Sequence, residues 1–152
     1  MKTTILSLTA LAFAFFACSP NVSAQASKKA PKDKVLANKV YTVEMTETTN
    51  KKIGKMENDE ISFKSEKLNS KFMTAQNHFP AAAYTVTVDS SATPATISFV
   101  SEGKSSDGED IKWEGTVTGD DIEGTATISK KGKTKKEYSY TGSVKAKPGA
   151  KK

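Results

Sequence analysis

The sequence predicts an all-β protein: an eight-stranded antiparallel up-and-down meander that closes into a barrel. The strongest signal lies in three consecutive segments, Ile111–Val117, Ile122–Ile128 and Tyr138–Val144. In each segment, apolar residues or glycines alternate with Lys, Glu, Thr or Ser, which is the period-2 pattern of a sheet with one buried face. The links at residues 118–121 and 130–133 are short, polar and glycine-bearing, as hairpin loops are.

Five shorter segments upstream repeat this alternation. They are Val40–Met45, Glu60–Lys64, Leu68–Thr74, Ala83–Val88 and Ala95–Ser101. Residues 75–82 are irregular, and Pro80 argues against a central strand, so we expect a turn of helix or a loop that plugs one end of the core. Eight hairpin-linked strands without a helix of ten residues favour a closed barrel, because closure removes exposed sheet edges. A two-layer β-sandwich is the alternative.

The N-terminal segment predicts export. Residues 1–26 combine Lys2, an apolar run over residues 5–17 and small-residue cleavage patterns ending at Ala24 and Ala26, as in a signal peptide. Cys18, the only cysteine, sits where a bacterial lipoprotein carries its acylated cysteine. Simple secretion and a lipid anchor both stay open. We therefore expect a protein of the periplasm, anchored at the outer membrane or extracellular, without an internal disulfide.

The positive charge of the chain is concentrated at its ends. We expect a signal peptide at 1–26, a flexible Lys-rich linker at 27–38, the barrel domain at 39–145 and a disordered basic tail at 146–152. The formal net charge is +6, yet residues 35–144 hold 14 Lys against 16 Asp or Glu. All 23 basic residues are Lys, and the absence of Arg argues against specific nucleic-acid recognition. Such tails either keep a monomer soluble or touch an anionic surface, in peripheral or lipid-anchored membrane association.

Three glycines, Gly115, Gly124 and Gly142, lie at the inward parity of neighbouring strands. On a structural interpretation they permit the sharp coiling that closes a small barrel, or leave room for rings from across the core. On a functional interpretation they leave space for a ligand, since an eight-stranded barrel is either filled by side chains or holds one small molecule. The aromatic residues predicted to line such a pocket are Tyr84, Phe99, Trp113, Tyr138 and Tyr140. Tyrosine hydroxyls facing no protein acceptor would favour a wet or liganded cavity.

The export signal, the meander and three closing patterns resemble small exported lipocalin-like, calycin-type bacterial barrels. The patterns are W-x-G-x-V at residues 113–117, G-D-D-I-x-G-T at 119–125 and Y-x-Y-x-G at 138–142. The resemblance covers residues 40–145. It lacks the G-x-W signature that true lipocalins carry near their first strand, because Trp113 falls in the sixth predicted strand. It implies that the barrel binds a small apolar molecule.

No catalytic or metal-binding motif is present. His78, the only histidine, has no nucleophile motif nearby, and no His or Cys spacing indicates zinc or iron. The carboxylates at 107–110 and 120–121 lack the spacing of a calcium loop. We expect no cofactor, no metal, no nucleic-acid partner and no enzymatic activity. Two functions stay open: a module that holds a small apolar molecule, and a non-catalytic structural or interaction protein of the cell envelope with a solid core.

Overall fold

The computed structural model describes residues 34–49 and 54–146, which form an antiparallel barrel of eight strands and one short helix. The elements in chain order are β1 Val40–Glu47, β2 Met56–Lys64, β3 Lys67–Ser70, α1 Lys71–Asn77, β4 Ala82–Asp89, β5 Thr96–Lys104, β6 Asp110–Thr118, β7 Asp121–Lys130 and β8 Lys133–Val144. Each strand pairs with the next, and β1 pairs with β8. The predicted closed meander is therefore confirmed, and the sandwich alternative is not adopted. The predicted signal peptide, Cys18, most of the linker and nearly all of the basic tail lie outside the described residues.

The three C-terminal strands are long, with nine residues in β6, ten in β7 and twelve in β8. Their predicted inward residues are buried, with Trp113 3% exposed and Ile128 1% exposed. β6 and β7 pair without interruption from Asp110–Ser129 to Thr118–Asp121. The period-2 pattern predicted the buried residues correctly here because one face of each strand meets the core and the other meets solvent along its whole length.

The strand predicted over Leu68–Thr74 is wrong beyond Ser70, where the chain turns into α1. The Ser70 hydroxyl accepts a hydrogen bond from the Met73 N–H at 3.0 Å, which caps the helix. Asp59, buried on β2, accepts from the Phe72 N–H at 2.8 Å and from the Ser70 hydroxyl at 2.5 Å. These acceptors satisfy N–H groups that the first helical turn leaves free, so the helix begins here although α1 has only seven residues.

Apolar residues outside the sheet close both ends of the barrel. At the end where β1 begins, Leu36 is fully buried and the Asn38 N–H bonds the Phe63 carbonyl at 2.7 Å. The core therefore extends into the segment predicted to be a flexible linker. At the other end, Met73 of α1 and Phe79 after it join the core cluster. Val88 shares the alternate spacing of the buried Tyr84, which predicts that it faces inward, but it lies near the end of β4 and is 46% exposed.

We predict that Asp59→Ala lowers the free energy of unfolding by about 3 kcal/mol, because buried donors lose a charged acceptor. The lost partners include the Ser70 hydroxyl and the Phe72 N–H. Urea denaturation measures this loss. Asp89→Ala is the matched control, since the exposed Asp89 carboxylate accepts a hydrogen bond from the Ser91 N–H at the surface, and its effect should be much smaller than that of Asp59→Ala. Equal losses in the two variants would contradict the role given to Asp59.

A second prediction concerns acid stability. The ammonium groups of Lys145 and Lys71 lie 2.5 and 2.9 Å from the Glu60 carboxylate, and their hydrogen bonds lower the pKa of that carboxyl. Because the folded-state pKa is below the unfolded value, the stabilisation is present above the unfolded pKa, about 4.3 for Glu. It is lost as the pH falls through the folded value.

Glu60→Gln should therefore flatten this part of the pH dependence of unfolding. At pH 7 the loss should stay below about 1 kcal/mol, because both lysines are more than half exposed and water screens the pairs. Thermal unfolding between pH 2 and pH 7 tests this, with Glu66→Gln on the exposed β2–β3 turn as control. A loss for Glu60→Gln that persists unchanged at pH 2 would overturn the electrostatic explanation.

Candidate functional site

All five residues predicted to line a pocket are buried inside the barrel. Tyr84, Phe99, Trp113, Tyr138 and Tyr140 are each 7% exposed or less. The structure divides them among separate contacts. Phe63 stacks edge-on with Tyr84 at 4.9 Å and with Phe99 at 5.1 Å between ring centroids. Trp113 packs on Tyr140 at 5.5 Å, and Tyr138 packs on Phe72 of α1 at 6.0 Å. These rings meet one another in the interior.

The inner face over two of the three glycines is occupied by rings. A Cβ atom built on Gly115 would lie 2.7 Å from the Phe99 ring, and one on Gly124 would lie 2.4 Å from the Tyr140 hydroxyl oxygen. The backbones also come close: the same Gly124 Cβ would lie 2.2 Å from the Glu114 carbonyl oxygen. At Gly142 the contact is with β1, since a Cβ would meet the Thr42 carbonyl oxygen at 2.1 Å. The structural interpretation of the glycines is therefore supported in both its parts: they permit close coiling of the strands, and they leave room for aromatic rings.

The Tyr140 hydroxyl has a protein acceptor. It donates to the Glu114 carbonyl at 3.2 Å, across β7, and burial raises the pKa of Tyr140 far above its usual value. Burial also raises the pKa of Tyr138, against a smaller opposing effect of Lys136. Both phenols are therefore neutral at physiological pH. Tyr140 does not meet the condition that would favour a wet cavity.

A groove of about 610 Å³ crosses the outer face of β5, β6, β7 and β8. Its floor is formed by inward-facing residues of the four strands, Phe99, Gly115, Gly124 and Tyr140. Its walls are the outward neighbours of these residues along each strand: Ser98, Val100, Glu114, Thr116, Glu123, Thr125, Ser139 and Thr141. We call it the outer groove. Five hydroxyl groups and two carboxylates stand along its walls, so it offers hydrogen-bond acceptors and hydroxyl donors to a partner.

A second groove of about 380 Å³ lies beside the first, and the two share Thr116, Glu123 and Thr141. Asp121 and Thr118 contribute to its far wall. Glu114 pairs with Lys112 at 2.8 Å, whereas Glu123 and Asp121 make no ion pair with any described residue. The face that carries both grooves is consequently acidic.

A third depression, of about 440 Å³, lies at the end of the barrel covered by α1. Tyr138, another of the predicted lining residues, borders this depression together with Phe72. The rest of its lining is polar or charged: Glu47, Lys55, Glu57, Gln76, Asn77 and Lys136.

Side chains that could bind a metal ion are not clustered in the described part of the chain. Over residues 34–49 and 54–146, no group of three or more His, Cys, Asp or Glu side chains is placed to hold a metal ion. His78 follows α1 in the left-handed conformation and is exposed, with its main-chain N–H bonded to Met73. No helix among these residues has the length and apolar character needed to cross a membrane.

Sequence reasoning missed the outer groove and the role of Asp59. The sequence did not predict the outer groove because its walls are the outward-facing, mostly polar residues of the strands. In a sequence, such residues indicate only a solvent-exposed face of a sheet. Asp59 did give a signal, since it shares the inward parity of Ile61 and Phe63 on β2. A carboxylate at such a position needs buried donors, and the following helix supplies them.

We predict that Gly124→Ala is strongly destabilising, by at least about 2 kcal/mol, because the new methyl group would overlap the Glu114 carbonyl and the Tyr140 hydroxyl. Gly103→Ala on β5 is the matched control. Its Cβ would meet only the Ala82 Cβ at 3.1 Å and Ile111 at 3.4 Å, and small side-chain shifts can accommodate that. Chemical denaturation of both variants tests the difference. A Gly124→Ala protein as stable as Gly103→Ala would show that the space beside Tyr140 is open.

Comparison of the chain with protein-family models, with curated proteins and with solved structures found no match. The lipocalin-like resemblance therefore stays a prediction, and the function has to be argued from the chain's own residues.

Proposed function

We propose that this protein is a non-catalytic interaction protein of the cell envelope, with a filled core, that works through its outer surface. The observation that carries the proposal is the filling of the space over Gly115 and Gly124 by Phe99 and Tyr140. This is the space that the sequence offered to a ligand. With the rings in place, a partner has easier access to the outside of the barrel than to its interior.

The outer surface offers the chemistry of a binding face. The outer groove presents five Ser or Thr hydroxyls and two carboxylates across four hydrogen-bonded strands. Because these side chains stand on strands and not on loops, the sheet fixes their spacing. Binding of a partner would therefore cost little conformational entropy for ordering them. Export, predicted from residues 1–26, would bring this surface to the envelope or the extracellular medium.

The rival function, a small apolar molecule held in the barrel, also stays a prediction. The groove between Phe72 and Tyr138 favours it, because it connects the exterior with an inward aromatic residue. A molecule entering there would have to displace rings that now pack on each other, such as Trp113 on Tyr140. That displacement would cost packing energy that an open cavity would not demand.

Titration with an apolar fluorescent probe, N-phenyl-1-naphthylamine, separates the two functions. For a filled core we expect no saturable rise in probe emission and no change in the emission of Trp113, the only tryptophan. Native mass spectrometry of the protein from its own host should show the mature polypeptide, with or without an acyl group, and no retained small molecule. Saturable binding with Trp113 quenching, or a retained apolar molecule, would overturn the proposal.

A sedimentation assay tests the interaction half of the proposal. The mature protein should pellet with isolated envelope material, and deletion of residues 147–152 should reduce the pelleted fraction. The deletion is placed after Ala146 because Lys145 bonds the Val40 carbonyl and Glu60 and belongs to the barrel. Retention that neither the deletion nor added salt changes would count against a role for the basic tail.

A further inference from the structure

The hairpin of β7 and β8 carries a concentration of positive charge at one end of the barrel. Five of the seven residues from Lys130 to Lys136 are lysines, and residues 131–137 are all exposed. We call residues 129–137 the lysine hairpin. Its tip turns at Lys131 and Gly132, which have φ angles of 52° and 73°. Such left-handed pairs make the tight two-residue turns that join antiparallel strands.

The tip of the lysine hairpin extends beyond its neighbours. β6 begins at Asp110, opposite Ser129, and β1 ends at Glu47, opposite Tyr138. Among the described residues, the Lys130–Lys133 pair therefore has no further strand on either side. A bulge between Ile128 and Ser129 places Lys135 as an extra residue in β8, and bulges commonly redirect side chains at barrel rims. The rim is thus built so that its lysines meet solvent.

The described residues leave most of this charge uncompensated. Lys130 approaches the Glu109 carboxylate at 3.9 Å, whereas Lys131, Lys133 and Lys135 form no ion pair within the described part of the chain. Lys130 and Lys133 are also direct cross-strand partners, and like charges in that position destabilise a sheet. This repulsion lowers the stability of the folded hairpin. Such a loss is expected where the charges serve to bind another molecule.

The rest of the barrel has the opposite charge balance. The described residues contain 14 Lys and 16 Asp or Glu, a difference of −2, although the lysine hairpin alone holds five of those lysines. Three carboxylates that form no ion pair among the described residues, Glu44, Asp121 and Glu123, lie on the outer face away from the tip. Two others, Asp107 and Glu137, lie near the tip. An anionic surface would repel that face and attract the hairpin, so the barrel would approach tip first.

We infer that the lysine hairpin binds the anionic phosphate headgroups of a lipid surface. This inference rests on the proposed function, for which it names the partner. Lysines present compact point charges suited to a diffuse layer of headgroups, and each contributes about 1 kcal/mol near such a surface. A nucleic-acid strand is disfavoured because residues 129–137 contain neither Arg nor an aromatic residue on which bases could stack. A projecting tip also fits a broad flat partner better than a single chain, which needs a groove.

The inference is tested by cosedimentation of the mature full-length protein with phosphatidylcholine vesicles that contain about 30 mol% phosphatidylglycerol, which makes their surface anionic. The triple variant K131Q/K133Q/K135Q should lower the partition coefficient roughly 100-fold at low salt. The matched control K34Q/K64Q/K67Q removes the same charge from exposed lysines at the opposite end of the barrel. It should change partitioning less than about threefold. Circular dichroism and thermal unfolding establish that both variants fold.

Further arms separate the other anionic partners. Pure phosphatidylcholine vesicles should not bind, and 10 mM inorganic phosphate (on the order of the buffer concentration) at constant ionic strength should not compete, because a free ion lacks the dense charge of the surface. Equal losses in the two triple variants, or hairpin-dependent binding to single-stranded DNA or an acidic polysaccharide without vesicle binding, would overturn the inference. The proposed function fails separately, if the apolar probe or native mass spectrometry reveals a molecule inside the barrel.

Discussion

Closure of the barrel depends on the close approach of β6, β7 and β8 around Gly115 and Gly124. The Glu114 carbonyl oxygen and the Tyr140 hydroxyl lie where a side chain on Gly124 would have to be, so only glycine allows this geometry. Glycine inside a strand weakens a sheet by about 0.5–1 kcal/mol relative to Ala. Here that loss is offset by the burial of the Tyr140 ring and by its hydrogen bond to Glu114. The curvature this produces brings β8 round to β1, where Gly142 allows another close approach.

The same contact decides what the interior can hold. Because the Tyr140 ring lies over β7 toward β6, it occupies the inner face that the glycines open. Phe99 fills the neighbouring position and joins, through Phe63, the cluster that includes Tyr84. The ends are closed by residues outside the sheet, Leu36 on one side and Met73 on the other. The curvature of the sheet, the filling of the core and the outer groove therefore have a common origin. Gly115 and Gly124, which lack side chains, and Phe99 and Tyr140, whose rings fill the interior, also form the floor of the outer groove.

How far the sequence predicts this structure depends on whether a residue's environment follows from local alternation. Trp113 and Ile128 were placed correctly because each lies in a long strand with one wet face. The segment after Ser70 was misassigned because its helix is fixed by Asp59, eleven residues earlier in the chain from Ser70, through a hydrogen bond that no local pattern records. Leu36 was assigned to a linker because the three apolar residues at 35–37, between Lys34 and Lys39, are too few to show a periodicity. For the candidate site, inward parity identified the aromatic residues, but whether they line a space or fill it depends on distances of a few tenths of an ångström.

The distribution of charge follows from the fold in a way that composition hides. A formal charge of +6 for the chain suggests a generally basic protein, yet the described barrel is slightly acidic and five of its 14 lysines lie on one projecting turn. The meander makes this separation possible, because each hairpin tip is exposed and makes few packing contacts, so its residues are free of core requirements. The outer face cannot vary as freely, since its side chains stand on strands whose alternate residues hold Tyr140 and Phe99 in place. A barrel of this kind therefore keeps its rigid acidic wall and its basic rim as separate surfaces, and a change in one need not disturb the other.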